Sequence, residues 1–418
     1  EEKPFSFPLQ KNETSPFQIQ MSDEGGVTAA AAAAAAAPLD NDDLFEEILL
    51  RFSPLPSSLP RASVVSKRWK GFATAPSFHR RFLAHHRNPP ILGVFEKLGG
   101  KLVFTSVLDP PDRIPRGRFT LRVGDEFNPW NLLGCRHGHV PILIQRFPLM
   151  ILFDPISADC RVVAIPPGFN PRPSFAPDFG MDECIVSGAV LCGAGHREGH
   201  VHGDCHMSPF KVAVVGTFCG GQHPAIASLY SSETGIWEDR VSTAEPCAGI
   251  VSCLASTLVG NVLYWWLDEC EDGILEFDLD MQTLAVVERP TFAGIRSSCL
   301  RIIRAEGGGV GIAVLSYPSF QMWGRKVSSD GVATWILQKT VNMHEIIGLP
   351  SGIETRDEAI VGYSEEADAL FISVSSNSEH YSFIVQLESM QSRRLNRTLL
   401  ANSYHPFANF YTPGTAEE

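Results

Sequence analysis

The periodicity of this chain changes at residue 90, and that change limits what it can fold into. Before it, apolar residues recur at helical spacing. After it they alternate: Tyr381, Phe383, Val385 and Leu387 face one way, and Leu275, Phe277 and Leu279 alternate with Glu276, Asp278 and Asp280. Runs of period two are half-buried strands. Turn pairs such as Gly260-Asn261, Asp272-Gly273 and Asp330-Gly331 separate them. No long amphipathic helix is expected beyond residue 90.

Within the strand region a unit of strand, short polar turn and strand recurs. Its turns carry Asp154, Ser231, Asp278, Ser329 and Glu388, spaced by 77, 47, 51 and 59 residues, and a step from Val107 to Asp154 adds 47. A period near fifty built from four-strand units is the mark of a β-propeller. The expectation is therefore an all-β domain over residues 91–413, a propeller of six or seven blades, and a short tail at 414–418. The 77-residue step holds either a long loop or an eroded extra blade. A non-repeating sandwich array is the other reading. With the helical segment before it, the whole is an α+β multidomain chain.

Residues 39–90 form that helical segment, expected as three helices. Leu44, Phe45, Ile48, Leu49 and Phe52 share one helical face after Asn41, Asp42 and Asp43, which offer capping oxygens. Asp43 with Glu46 resembles a capping box. Pro54 and Pro56 stop this helix. A second helix begins near Ser57 or Ser58 and places Ala62, Val65, Trp69 and Phe72 on one face until Ala75-Pro76 breaks it. Ser77 is the expected cap of a third helix holding Phe78 and Phe82. Residues 1–38, rich in Ser, Gln, Glu and alanine runs, are expected to be disordered. Met21 opens a segment typical of a natural start.

Charge follows the same division. The net charge is -13 over 418 residues. Residues 39–90 carry eight Lys/Arg and five Asp/Glu, which leaves the remainder at -16. That balance argues against nucleic-acid binding by the whole surface. The basic run from Lys67 to Arg87 reads as a solvated helix face, because Phe72, Phe78 and Phe82 sit at core spacing. No run of about 18 apolar residues is present, so no membrane-spanning helix is expected. All ten cysteines lie between Cys135 and Cys299 and none forms a C-x-x-C pair, which points to reduced thiols inside a cell.

The order of residues 39–81 resembles the F-box. Leu39 is followed by D-D-L-F-E-E-I-L-L-R, a proline-rich turn, R-A-S-V-V-S-K-R-W-K and A-P-S-F. Asp40, Ser53 and Ser66 depart from the usual pattern. Further along, the chain is similar to the F-box proteins of grasses: an H-x-H stretch (His137, His139), a D-P-x-S/T turn, S-S-E-T-G-x-W, G-N-x-L-Y-W, I-L-E-F-D-L-D, R-I-I-R-A-E-x-G-G and Q-L-E-S-M-Q. The resemblance implies a substrate-recognition subunit of a Skp–cullin–F-box E3 ubiquitin ligase, nuclear or cytoplasmic. It would dock a Skp-family adaptor, and through it a cullin–RING ligase, and hold an unknown target protein on the β domain. No catalytic residue and no cofactor is implied. About forty helical residues cannot supply a core alone. Leu39, Leu44, Ile48, Leu49, Val65 and Trp69 are the residues from which adaptor contacts are expected.

Two other readings compete. Asp268, Glu269, Glu271 and Asp272 beside Trp265 and Trp266 offer paired carboxylates, as in a glycosidase-like hydrolase. Residues 192–206 crowd His196, His200, His202, Cys205 and His206 with Cys192, a ligand set that suits zinc, although H-R-E-G-H is not the H-E-x-x-H motif. A glycine-rich loop between strands explains that composition without metal, and no metal is expected. The stretch from Glu306 to Gly311 lacks the lysine of a P-loop and reads as a hairpin.

Overall fold

The computed structural model describes residues 41–124, 129–169, 183–194, 202, 205, 208–268, 273–316, 318–348, 357–376, 379–396, 399 and 403–411. The chain divides into two compact units, Glu1–Phe45 and Glu46–Glu418. Of the first, residues 41–45 are described, and they begin helix α1 (Asp42–Leu50). Asn41 is its cap, since its Oδ1 accepts from the Asp43 and Leu44 backbone N–H at 2.9 and 3.3 Å. Leu39 and the alanine run lie outside the described residues.

Three more helices follow in the second unit: α2 (Ser58–Ser63), α3 (Lys67–Ala73) and α4 (Pro76–His86). The expected second helix is thus two helices. Ser66 is extended and its hydroxyl accepts from the Trp69 N–H at 3.2 Å, so it starts a new helix. Nor does Ser77 cap the last one. Ala75 precedes it and Pro76 takes its first position, where a missing N–H is harmless. Phe78 and Phe82 are buried, with ring centroids 5.9 Å apart. Glu46, expected in a capping box, instead meets Arg81 of α4 at 2.6 Å.

The rest is a ring of six antiparallel sheets. Blade 1 holds β1 (Ile91–Leu98), β2 (Lys101–Ser106) and β3 (Leu121–Arg122). Blade 2 holds β4 (Trp130–Leu132), β5 (Val140–Ile144), β6 (Leu149–Phe153) and β7 (Cys160–Ala164). Blade 3 holds β8 (Cys184–Cys192), β9 (Phe210–Phe218), β10 (Pro224–Ser231), β11 (Ile236–Trp237) and β12 (Val241–Pro246). In blade 4, β13 (Ile250–Val251) and β14 (Thr257–Val259) both pair with β15 (Val262–Asp268), followed by β16 (Gly273–Asp278) and β17 (Thr283–Glu288). Blade 5 holds β18 (Leu300–Arg304), β19 (Val310–Ser316), β20 (Ser319–Val327) and β21 (Ala333–Asn342), and a short helix α5 (Met343–Ile347) leads out of it. Blade 6 holds β22 (Asp357–Ser364), β23 (Ala369–Ser376), β24 (Glu379–Gln386) and β25 (Ser392–Arg394). Last, β26 (His405–Ala408) returns to pair with β1 and supplies the inner strand of blade 1.

Six apolar clusters join neighbouring blades in turn. Phe95 and Trp130 belong to the cluster of blades 1 and 2, Met150 and Val212 to that of 2 and 3, and Val215 and Trp265 to that of 3 and 4. Trp266 and Ile312 join blades 4 and 5, Ile303 and Leu370 join 5 and 6, and Phe371 and Val94 close 6 onto 1. Each sheet therefore buries both faces, and the ring is complete without a seventh blade. This is a six-bladed propeller. The expected choice of six or seven resolves to six because the 77-residue step falls on the β7–β8 and β8–β9 connections, and no further sheet occurs there among the described residues.

The turns singled out in the sequence all occupy one place. In blades 2 to 6 they link the third strand to the outermost, and Val107 opens the same link in blade 1. Asp154 and Asp278 act alike: each carboxylate accepts two backbone N–H groups of its own turn. Antiparallel order puts these turns on the same face of the ring as the turns between first and second strands.

Candidate functional site: the helical surface and the propeller axis

The helical segment presents apolar side chains to solvent. Val64 and Val65, in the bend between α2 and α3, are 85% and 61% exposed, and Ile48 on α1 is 38% exposed. Trp69 is half-buried. Leu44, in the first compact unit, is 50% exposed. Leu49 departs from expectation. It is fully buried, one position round the helix from Ile48, so it anchors α1 and offers no surface.

Acids of α1 meet a base of α4 and a base in the turn that follows α1. Arg81 bonds Glu46, and Arg51 bonds Glu47 at 2.8 Å. That Arg51 hydrogen bond holds the Glu47 carboxyl below its usual range. The segment is tied to blade 1 by the Ser57 N–H, which donates to Asp112 Oδ1 at 2.8 Å, and by Leu55, which packs on the cluster of blades 1 and 2. Between Leu55, Pro89, blade 1 and blade 6 lies a groove of about 960 Å³. Asp109, Asp112, Glu366, Asp368 and Glu388 line it against Arg304 and Arg393.

At the axis one buried arginine connects four blades. Arg136, in the β4–β5 turn, donates from Nε and Nη2 to the two oxygens of Glu365 in the β22–β23 turn, at 2.8 and 2.6 Å. Its Nη1 donates to the Val190 carbonyl and its Nη2 to the Ser256 carbonyl and hydroxyl, at 3.3, 3.1 and 3.2 Å. Burial alone would pull its pKa down, and the Glu365 carboxylate outweighs that and raises it. Beside it Glu366 is pushed up, by burial and then by Glu365. Arg301 of blade 5 donates to the Ile360 carbonyl of blade 6 at 2.9 Å, and burial lowers its pKa to about 10. His405 of β26 is lowered to about 3, first by burial and then by Arg301.

The axial cavity touches Cys135, Val190, Ser256, Arg301, Glu365 and His405, one residue from each blade, and has a volume of about 30 Å³. That is room for water, which needs about 10–15 Å³. Of the four acids expected to offer paired carboxylates, Asp268 ends β15 opposite Ile250, while Glu269, Glu271 and Asp272 lie outside the described residues. Of the expected metal ligands, His196, His200 and His206 lie outside them too. His202 and Cys205 are brought together, with His137 from the next blade. In sequence His137 belongs to an H-x-H stretch that implies no ligand role. Arg136 and Glu365, the principal axial pair, lie in no motif of the sequence.

No family model matches the chain, and no curated protein matches it. Solved structures do. One is the extracellular domain of a one-component system from B. thetaiotaomicron, at 11% identity and a TM-score of 0.32 over 65% of this chain. The chain spans 28% of the length of that protein. Another is a quinoprotein alcohol dehydrogenase-like protein from Bacteroides thetaiotaomicron, at 10% identity and a TM-score of 0.34, with 76% of each chain covered. At such scores the likeness carries no argument, and the six blades stand on the strand pairing and clusters given above. Among the described residues no helix is long and apolar enough to cross a membrane.

Proposed function

We propose that this chain is the substrate-recognition subunit of a Skp–cullin–F-box E3 ubiquitin ligase, of the kind found in grasses. The observation that carries the reading is the exposure of Ile48 on α1 and of Val64 and Val65 in the bend between α2 and α3, followed on α3 by half-buried Trp69, while Phe45, Leu49, Phe78 and Phe82 are buried. A tryptophan in such a patch is the usual centre of a protein-binding surface. Leu44, and Leu39 by sequence, are the further contacts proposed, and Leu49, being fully buried, is not among them.

On this reading the protein performs no chemistry of its own. It raises the local concentration of a target lysine near an E2-borne ubiquitin. The propeller takes the target, and the groove beside Leu55 has room for a peptide segment. The protein works inside the cell, in the nucleus or cytoplasm, where its thiols stay reduced.

The test is co-purification with a Skp-family adaptor. Wild-type chain is expected to retain the adaptor, and Ile48→Ala with Trp69→Ala to weaken retention by at least ~10-fold, as two contacts worth over about 1 kcal/mol each would. Wild-type protein that folds and leaves the adaptor unbound defeats the proposal.

A further inference from the structure

His137, His202 and Cys205 place three metal-type donor atoms within 4.8 Å of one another. They come from different blades. His137 sits in the β4–β5 turn of blade 2, next to Arg136. His202 and Cys205 sit in the β8–β9 connection of blade 3. Cys205 Sγ lies 3.7 Å from His202 Nδ1, and the rings of His137 and His202 are 4.1 Å apart between centroids.

We propose that these three side chains bind one zinc ion, or a divalent metal of the same class, and so fasten the β8–β9 connection of blade 3 to the inner turn of blade 2. Tetrahedral zinc with Zn–S near 2.3 Å and Zn–N near 2.05 Å has an S···N edge of about 3.6 Å. The Cys205–His202 separation already has that length. A thiolate with two imidazoles selects zinc-like metals over calcium or magnesium, which take oxygen ligands. The site is built rather than incidental. Cys205 is buried, and His137 is held in a left-handed conformation (φ +50°) that few side chains adopt. The backbone around His137 is fixed on both sides: its N–H donates to Glu366 Oε1 at 3.3 Å, and its carbonyl meets His139 Nδ1 at 3.1 Å. The ion takes the Cys205 thiolate, and the displaced proton goes to solvent. Three protein ligands leave a fourth position for water or another donor. The proposal is independent of adaptor docking.

The experiment uses the full chain, stripped with a chelator. Zinc is titrated against a chromophoric chelator, and cobalt(II) serves as the spectroscopic probe. Wild-type protein is expected to take up one equivalent of either metal, and the cobalt form to show thiolate charge-transfer absorption. Cys205→Ser should lose that absorption. Cys205→Ser and His137→Gln should each bind zinc at least ~100-fold more weakly, since loss of an outer-shell partner alone already weakens binding 10–100-fold. The two changes lie on different segments. Each is compared by circular dichroism and metal-free melting temperature, so misfolding of one leaves the other decisive. Wild-type chain that takes up neither metal overturns the site, and so does unchanged affinity in a folded variant.

Discussion

Arg136 reaches both oxygens of Glu365 and the carbonyls of Val190 and Ser256, so one side chain crosses to three other blades. Its charge is buried, and so is most of its partner's. Arg136→Met leaves the Glu365 carboxylate with the Leu258 N–H at 2.8 Å and, among the described residues, no other ion-pair partner. Breaking one side of a buried pair costs about 3–5 kcal/mol. The double change Arg136→Met with Glu365→Gln removes the stranded charge and is expected to regain part of that loss. Urea unfolding of the three proteins measures it, and equal loss in single and double variants would mean the charge is not what matters. His405 sets a pH dependence at the same axis. Its folded pKa, about 3, lies below the ordinary 6.5. The unfolded chain therefore binds the extra proton first as pH falls. Stability is level above 6.5 for this group and drops from 6.5 toward 3, by up to ~1.4 kcal/mol per pH unit. His139 and His86, both lowered chiefly by burial, add to the fall. Unfolding at pH 7, 6 and 5 is expected to show a shallower slope in His405→Gln, and identical slopes would refute the assignment.

At the level of elements, the local signals were the legible ones. Asp154 and Asp278 mark turns because their carboxylates bond to backbone two and three residues on, which is chemistry carried in a few consecutive letters. The break between α2 and α3 was written there too, in Val64-Val65-Ser66: two β-branched residues before a capping serine. Apolar spacing from Ala62 to Phe72 concealed it, since both helices keep one side toward the core. As a result Val65 sits in the bend and not on a helix face. Trp237 and Trp335 show the opposite case. Each indole N–H donates across to the outer strand of the preceding blade, at the Ala164 and Glu288 carbonyls. Both follow the repeated turn, but a partner 73 or 47 residues away leaves no local trace.

On the scale of the whole molecule, the number of strand units could be read and the closure of the ring could not. Arg136 and Glu365 are 229 residues apart, and His137 meets His202 across two blades, so no spacing announces either. Closure itself rests on β26. Its Phe407 lies 5.3 Å from the Phe95 ring and 5.8 Å from the Phe119 ring, inside the cluster of blades 1 and 2. A chain ended after Tyr404 loses that side chain, worth about 3–5 kcal/mol by itself, and leaves the inner edge of β1 unpaired. Domains of this kind hold only about 5–15 kcal/mol in total. The truncated chain is therefore expected to be insoluble or open to protease along blade 1. A chain ended after Tyr411 keeps the strand and should melt like the full protein. Phe407→Ala separates packing from strand pairing: it should stay folded while melting lower. A Tyr404 truncation that melts with the full chain would mean that the six blades hold together without the returning strand, and the ring would have to be closed by the blade clusters alone.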